Sequence, residues 1–405
     1  MPTARRQVFL HVGLHKTGTT FVQHLMRANR AALLEQGVLY PGGDGFPSQI
    51  FAAWDLLGRR PRGTVGKDVR ISGAWPTMAE AVAAVPVDRA PVVLLCDEHL
   101  SLATSRQARA AVESFPDADV NVIVTARDLA RVVTSAWQED VKNRGRFDWA
   151  AFVAAVRDPA QAGTNPARGF WLRQDLPAVL ATWAEHLGEG RVHVVTVPAP
   201  GSGADLLVQR LGALVGYDAA RLTQPAKWAN ENVGLVGTEL LRRLSPRLAH
   251  LDARRFDKVV KLTVVRHLAA ELDPVRHALT EEELAWAVQR GAEMTRAVRE
   301  AGYPVVGDLD DLVPHALSGR RPADVTPEEL VEASLVGLAG LGDEYANSWW
   351  ANRKPDSATD STALARGTSA LRALQYRGRR VAAQVADRNA LVGRLAGEYV
   401  RRRTR

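Results

Sequence analysis

Short apolar, β-branched runs recur along the first two hundred residues and predict the strands of a sheet. Most of the intervals between these runs carry apolar residues at helical spacing. Because strands that alternate with helices form parallel sheets covered on both faces, we expect an α/β domain built on a central parallel sheet. Ligands of such sheets bind beyond the carboxyl ends of the strands, so residues directly after each run are candidates for function. The runs span 8–12, 38–40, 92–96, 120–125 and 192–197.

The rest of the chain reads as helices with one irregular region. The text from 42 to 75 is rich in Gly, Pro and Arg, which predicts an insertion or a mobile loop over the site. A Pro in the first turn and a cap at Thr326 predict a helix that begins near Pro327. We place a domain at 1–320 and a helical, basic extension at 321–405. Helical patterns cover 171–187, 204–215, 233–249 and 281–300.

The net charge of +7 is confined to the end of the chain. Residues 351–405 hold 13 Lys and Arg against 4 Asp and Glu, which leaves 39 against 41 in the first 350 residues. A nearly neutral body argues against a nucleic-acid partner. The tail mixes arginines with apolar residues at helical spacing, such as Leu371 and Leu374. It is either a helix for peripheral contact with an anionic membrane or a solvated extension.

Cysteine usage and hydropathy narrow the class further. The single cysteine, Cys96, lies inside an apolar strand run, so we expect a buried thiol and no intrachain disulfide. The first residues lack the apolar stretch of a signal peptide, and no segment approaches the ~20 apolar residues that span a bilayer. We therefore expect a cytoplasmic protein, with peripheral membrane contact through the tail left open.

The junction after the first strand reads HVGLHKTGTTFVQ, residues 11 to 23, and predicts an anion site. The backbone N–H groups of 17–20 converge at the positive end of the following helix, where a phosphate is favoured. Gly13 and Gly18 have the separation of a Walker A loop, but the position of its lysine holds Thr19. Lys16 lies on the other side of the second glycine. The pattern thus points away from nucleotide hydrolysis.

This loop resembles that of sulfotransferases that use 3′-phosphoadenosine-5′-phosphosulfate (PAPS). Their 5′-phosphosulfate loop has the pattern K-x-G-T-[ST], which Lys16, Thr17, Gly18, Thr19 and Thr20 match. The resemblance implies a P-loop-like fold, PAPS as the donor and no metal. It looks closer to bacterial and carbohydrate sulfotransferases than to the cytosolic small-phenol enzymes, since no R-K-G loop is evident late in the domain. An acceptor hydroxyl or amine, on a carbohydrate or a glycolipid, is the corresponding expectation.

A second anion anchor is predicted where the run at 120–125 ends. Arg127, Arg131 and Ser135 are four residues apart, so on a helix they fall near one face. In the resembling enzymes an arginine at this strand end and a serine eight residues on bind the 3′-phosphate, which implies that role for Arg127 and Ser135. For Arg131, anion binding and an ion pair with Asp128 or Glu139 both stay open.

The third anchor is the sequence LLCDEHLS, after the run at 92–96. Sulfuryl transfer needs a base near the acceptor, and the resembling enzymes take it from a strand between the two phosphate motifs. We favour Glu98 over His99, with a structural role for both as the remaining alternative. A strand that ends in Asp97 and Glu98 also resembles a Walker B element. An ATPase or kinase is therefore the rival hypothesis, and a non-catalytic PAPS-binding protein is a third.

Weaker candidates lie around these anchors. We expect His11 to be a core residue and His15 to line the loop with a possible ligand contact. The segment KWANENVG at 227–234 could cover the adenine, although a helix cap at Asn232 explains it as well. Trp137 is expected to pack in the core.

Overall fold

The computed structural model describes residues 5–43, 45–59, 71–161, 163–199, 201–203, 205–226 and 232–352. Most of the segment 227–234 and the whole basic tail beyond 352 lie outside these residues. The predictions made for them therefore stay predictions.

A six-stranded sheet organises the chain, and every pair of neighbouring strands is parallel. Its strand order is β2-β3-β1-β4-β5-β6, so β1 lies between β3 and β4. Alternate residues of β1 are buried on opposite faces, and both faces carry helices. The predicted α/β class with a central parallel sheet is thus confirmed. The strands are β1 (Arg6–Gly13), β2 (Val38–Leu39), β3 (Val92–Cys96), β4 (Ala118–Ala126), β5 (Val192–Thr196) and β6 (Val305–Val306).

The α-helices cover the sheet and add a second helical layer. They are α1 (Thr19–Ala28), α2 (Arg30–Leu34), α3 (Gln49–Leu56), α4 (Ala74–Ala83), α5 (Ser105–Glu113), α6 (Leu129–Lys142), α7 (Trp149–Arg157), α8 (Asn165–Gln174), α9 (Leu176–Leu187), α10 (Asp205–Val215), α11 (Gly234–Leu244), α12 (Ala253–Phe256), α13 (Val265–Glu271), α14 (Glu281–Glu300) and α15 (Pro327–Asn352). A π-helical segment, Asp257–Val264, joins α12 to α13.

Three apolar clusters hold these elements together. On one face of the sheet, α1 and α10 bury residues such as Met26 against Phe9. On the other face, α4 and α9 bury Met78 and Trp183 against Leu10. The third cluster contains Trp137 and joins α6, α7, α11 and α13 away from the sheet. Since Trp137 is fully buried, its predicted packing role is confirmed.

Three local predictions need correction. The region 42–75 is not only loop, because α3 lies inside it and α4 begins at its end; α3 is short and rich in Ala and aromatic residues, which hides its period. The pattern at 171–187 is two helices, with Asp175 capping the second. The last strand, β6, has only two residues and escaped prediction.

The described residues up to 341 belong to one compact unit, and α15 continues beyond it to Asn352. The proposed boundary at 320/321 stays a prediction. The cap at Thr326 is confirmed, because its hydroxyl accepts the N–H of Glu329. In the part of the chain that the structure describes, no helix has both the length and the apolar character needed to cross a membrane.

Candidate active site

The loop that joins β1 to α1 is fixed by its carbonyl groups. Four consecutive carbonyl oxygens, those of residues 13 to 16, accept hydrogen bonds from side chains, three of them from the surrounding scaffold and one, Thr17, from the loop itself. Their donors are Thr125 Oγ1 for Gly13 O (2.9 Å), Thr17 Oγ1 for Leu14 O (2.6 Å), Gln174 Nε2 for His15 O (3.0 Å) and Arg127 Nη1 for Lys16 O (3.2 Å). With its carbonyls held this way, the loop cannot turn them toward a bound ligand.

The amide groups that follow are left for a ligand. Gly18 is the N-cap of α1, and in the described part of the chain no side chain caps the helix there. Both Gly18 (φ 88°) and Lys16 (φ 63°) are left-handed. Lysine rarely adopts this conformation, which costs on the order of 1 kcal/mol or more and clusters at functional sites. The predicted convergence of the N–H groups of 17–20 fits this geometry, which is that of an anion-binding nest.

A buried polar network supports the loop from below. His11 contacts Cys96 Sγ (2.9 Å) through Nδ1 and Thr125 Oγ1 (3.1 Å) through Nε2. Thr125 Oγ1 in turn lies 2.6 Å from Thr17 Oγ1. Burial lowers the pKa of His11 to about 4, so the ring is neutral. The predictions of a core histidine and of a buried thiol are confirmed, and the Thr17 hydroxyl serves the scaffold rather than the cleft.

Lys16 projects from the loop toward α6. Its Nζ lies 3.3 Å from Glu139 Oε2, and both side chains are partly exposed. Desolvation alone would raise the pKa of Glu139, but the charges of Lys16 and Lys142 lower it to about 2. Glu139 therefore stays ionised at working pH and holds the lysine in the absence of a ligand. The sequence analysis named Glu139 only as an alternative partner of Arg131, and the structure pairs it with Lys16 instead.

Arg127 joins the second predicted anchor to the loop. It follows β4 and precedes α6, and its bond to Lys16 O places its guanidinium against the loop. Its Nε is buried and has no hydrogen-bond partner among the described residues. Burial, together with repulsion from Arg131 and Arg276, lowers the pKa of Arg127 to about 10. An anion beside Arg127 would offset the repulsion from Arg131 and Arg276, and it would accept a hydrogen bond from the buried Nε.

The other two members of that anchor are engaged internally. Arg131 forms an ion pair through Nε with Asp128, and its Nη1 donates to Pro198 O (3.0 Å). The alternative of an ion pair with Asp128 is thus confirmed for Arg131. The hydroxyl of Ser135 donates to the carbonyl of Arg131 (2.7 Å), so it reaches a phosphate as donor only after rotation.

The carboxyl group of Glu98 faces α1. It accepts a hydrogen bond from Gln23 Nε2 (2.6 Å), and burial followed by the charge of Asp97 raises its pKa. A Cβ at Gly13 would come within 3.4 Å of the main-chain carbonyl oxygen of Glu98, so the backbone of Glu98, and not its carboxyl group, packs on the start of the loop. The predicted closeness of the third anchor to the first is seen in these contacts.

His99 lies on another side of the same turn. Its Nδ1 donates to Asp97 Oδ1 (2.8 Å), which also accepts the backbone N–H of His99. Burial alone would lower the pKa of His99, but the hydrogen bond and charge of Asp97 raise it above the ordinary value. Its ring meets that of His15 edge-on at 5.5 Å. Asp97 thus orients a histidine, a role that the Walker B interpretation did not foresee.

The comparisons with known proteins add one structural likeness. No family model matches the chain, and no curated protein matches it. Among solved structures, the chain is similar to a sulfotransferase from Alicyclobacillus acidocaldarius, with a TM-score of 0.37 and 16% identity over 63% of this chain and 96% of that chain. A likeness of this size carries no argument about activity, and the proposal below rests on the residues of the site.

Proposed function

We propose that the chain is a sulfotransferase that moves a sulfuryl group from PAPS to an acceptor hydroxyl or amine, with a carbohydrate or glycolipid as the acceptor class. The proposal is supported by one arrangement above all. The loop at 13–18 has every carbonyl from 13 to 16 held by a side chain, and one of the four donors is Arg127 of the second anchor. Two anion-binding features are therefore coupled through one hydrogen bond.

That coupling suits a donor with phosphates at both ends of its adenosine. The 5′-phosphosulfate would lie on the loop amides and Lys16, and the 3′-phosphate beside Arg127 and Ser135. Arg127 has a buried, unpartnered Nε, and a guanidinium offers several donors to one phosphate. An NTPase has no use for a second phosphate anchor.

The chemical step would be an in-line displacement at sulfur. The acceptor oxygen forms a bond to sulfur while the bond from sulfur to the 5′-phosphate oxygen breaks, leaving adenosine 3′,5′-bisphosphate. Charge grows on that bridging oxygen, and Lys16 with the fixed amides would stabilise it from positions that need no rearrangement. The proton of the acceptor goes to Glu98 or to the Nε2 of His99.

Glu98 and His99 are both candidate bases, and different contacts position each of them. Glu98 has a raised pKa, and its carboxyl group is held by Gln23 Nε2. His99 is oriented by Asp97 through Nδ1, which leaves Nε2 to accept a proton. In the described part of the chain, no group of three or more His, Cys, Asp or Glu side chains is arranged to hold a metal ion.

Calorimetry with adenosine 3′,5′-bisphosphate, set beside ATP with Mg²⁺, tests the donor half. We expect the bisphosphate to bind at least tenfold more tightly, and the Lys16→Ala and Arg127→Ala variants each to weaken it. Arg106→Met is a matched control, since Arg106 is exposed on α5. Tighter binding of ATP with metal-dependent hydrolysis would favour the kinase or ATPase, and tight bisphosphate binding without transfer to any acceptor would favour a non-catalytic binding protein.

A cytoplasmic location and peripheral membrane contact through the tail complete the proposal. The charge of residues 351–405 supports the membrane contact. Sedimentation with liposomes rich in phosphatidylserine, for the full chain and for a chain ending at residue 352, tests it. Equal sedimentation of both would remove the tail from the proposal.

A further inference from the structure

A cavity of about 440 Å³ opens beyond the carboxyl ends of β2 and β3. Its walls come from α1, from the start of α2 and from the segment between β2 and α3. Glu98 lies in its lining, together with the Gln23 that holds it. The main chain of Glu98 packs against Gly13 of the loop. An acceptor in the cavity would therefore lie beside a candidate base.

Arg30 gives this cavity a built cationic group. Its guanidinium carbon lies 5.7 Å from the centre of the Tyr40 ring, and its Nε is buried without a hydrogen-bond partner among the described residues. A side chain at Gly42 would collide with the guanidinium, so the glycine leaves room for it. Burial, more than any other factor, lowers the pKa of Arg30. A half-buried guanidinium with an unused donor is costly unless a ligand supplies the acceptor.

Arg27, one turn earlier on α1, lines the same cavity and is exposed. The two acidic side chains of the lining have partners of their own, since Asp97 is bonded to His99 and Glu98 to Gln23. Among the described residues, neither Asp97 nor Glu98 forms an ion pair with Arg27 or Arg30. The cavity thus combines the guanidinium groups of Arg27 and Arg30 with the carboxyl group of Glu98, which is bonded to Gln23.

Building on the proposed function, we propose that this cavity binds the acceptor and selects acceptors that carry an anionic group, a carboxylate or a phosphate, beside the hydroxyl that is sulfated. Arg30 and Arg27 hold the anionic group, while Glu98 lies at the hydroxyl. The cavity volume suits a glycosyl unit rather than a polymer chain. Tyr40, Gly42 and Gln49 shape the wall, with Gln49 Oε1 accepting the N–H of Cys96 (2.7 Å).

Equilibrium binding of matched glycosides tests the selection directly. The probes are p-nitrophenyl β-D-glucuronide, glucose 6-phosphate and the neutral p-nitrophenyl β-D-glucoside, titrated by calorimetry with and without adenosine 3′,5′-bisphosphate. We expect the wild type to bind at least one charged probe about tenfold or more tightly than the neutral one. The two charged probes separate a carboxylate preference from a phosphate preference.

Variants then assign the effect to the cavity. Arg30→Met should weaken binding of the preferred charged probe about tenfold and change that of the neutral probe less than twofold, while Arg30→Lys should keep part of the preference. Arg106→Met, on α5 and outside the cavity, should behave as wild type. Equal affinity of wild type for charged and neutral probes, no binding of any probe, or equal losses for both probes in Arg30→Met would overturn the inference.

The outcome is separable from that of the proposed function. If adenosine 3′,5′-bisphosphate binds but charge is not discriminated, the inference fails and the sulfotransferase proposal stands. If the bisphosphate does not bind while the charged probe still binds through Arg30, the cavity stands and the proposed donor fails.

Discussion

The two predicted anion anchors are built in different ways. The loop at 13–18 presents main-chain amides, and its carbonyls are fixed by three scaffold side chains and by Thr17 of the loop itself. The second anchor, from Arg127 to Ser135, relies on side chains, of which Arg131 is occupied by Asp128 and Ser135 by a helix carbonyl. The first anchor presents its donors from a fixed backbone, whereas in the second Arg127 keeps an unpartnered Nε and Ser135 must exchange an internal bond for a ligand bond.

The difference shows where affinity and rate should come from. A site that is prearranged pays little reorganisation when charge develops, so it suits the transition state. A site made of side chains, one of which must first break an internal bond, suits binding and orientation. We therefore expect variants in the loop to lower turnover and variants in the second anchor to lower donor affinity.

The largest effect is expected for Lys16→Ala. It removes the one side chain of the loop that can follow the developing charge, and turnover should fall about 10³-fold with a smaller change in bisphosphate affinity. Steady-state transfer from PAPS, read as release of the bisphosphate, measures it. Lys16→Gly relaxes the left-handed backbone, so a loss equal to that of Lys16→Ala shows that the charge matters and the strain does not. Normal turnover in either variant would contradict the role.

The base is tested by Glu98→Gln and His99→Asn, each with a pH profile. Loss of the true base should lower kcat by about 10²-fold or more while bisphosphate affinity stays within a few-fold. The base must be deprotonated, so activity falls as pH falls through its pKa. Both pKa values are raised, so an acid limb just above the ordinary range of a carboxylate indicates Glu98, and one above the ordinary range of imidazole indicates His99.

Asp97→Asn separates the two candidates further. It removes the acceptor that orients His99 and raises its pKa, so the acid limb should move to lower pH if His99 is the base. If Glu98 is the base, loss of the neighbouring negative charge also lowers its pKa, but the limb stays in the carboxylate range. A pH profile of Asp97→Asn that is the same as that of the wild type would exclude both Glu98 and His99 as the base.

Arg127→Ala is expected to weaken bisphosphate binding about 10- to 100-fold, because it removes a phosphate ligand and also frees the carbonyl of Lys16. Arg131→Met is the matched variant on the same segment. It should lower the free energy of unfolding by about 3 kcal/mol, since Asp128 is left buried without its partner, and change affinity less than threefold. Calorimetry and urea unfolding measure the pair. Equal losses of bisphosphate affinity in Arg127→Ala and Arg131→Met would contradict the specific role of Arg127 in binding phosphate.

The smallest effect is expected for Glu139→Gln. It releases Lys16 from its ion pair, so PAPS should bind a few-fold more tightly. Since the pKa of Glu139 is held at about 2, the carboxylate is ionised throughout the neutral range and the gain should not depend on pH there. Weaker donor binding in this variant would mean that Glu139 positions the lysine instead of competing for it.

Sequence patterns predicted the five main strands, the loop and the closeness of Glu98 to it, because these follow from periodicity and from the topology of parallel sheets. They did not reveal the role of Gln174, and they did not connect Glu139 with Lys16, because both residues lie far along the chain from the loop and carry no motif. Their roles depend on where α8 and α6 pack around the loop, and no local spacing encodes that packing.

The orientation of side chains was predicted less well than their position. The spacing of Arg127, Arg131 and Ser135 predicts one helix face, but α6 begins at Leu129. Arg127 therefore lies outside the helix, and its side chain turns toward the loop. Asp97 was read as a metal ligand in the rival hypothesis, yet it caps a turn and orients His99. Such choices among hydrogen-bond partners are decided by tertiary contacts.

The middle position of β1 in the sheet has a geometric consequence. The ends of β3 and β4 are separated by two inter-strand intervals, about 10 Å in all. The sheet therefore fixes the spacing between the segment after β3, which holds Glu98, and the segment after β4, which holds Arg127. The loop after β1 lies midway between these two segments. Lengthening a surface loop would leave this spacing unchanged, whereas a register slip of β1 would move the loop relative to both Glu98 and Arg127.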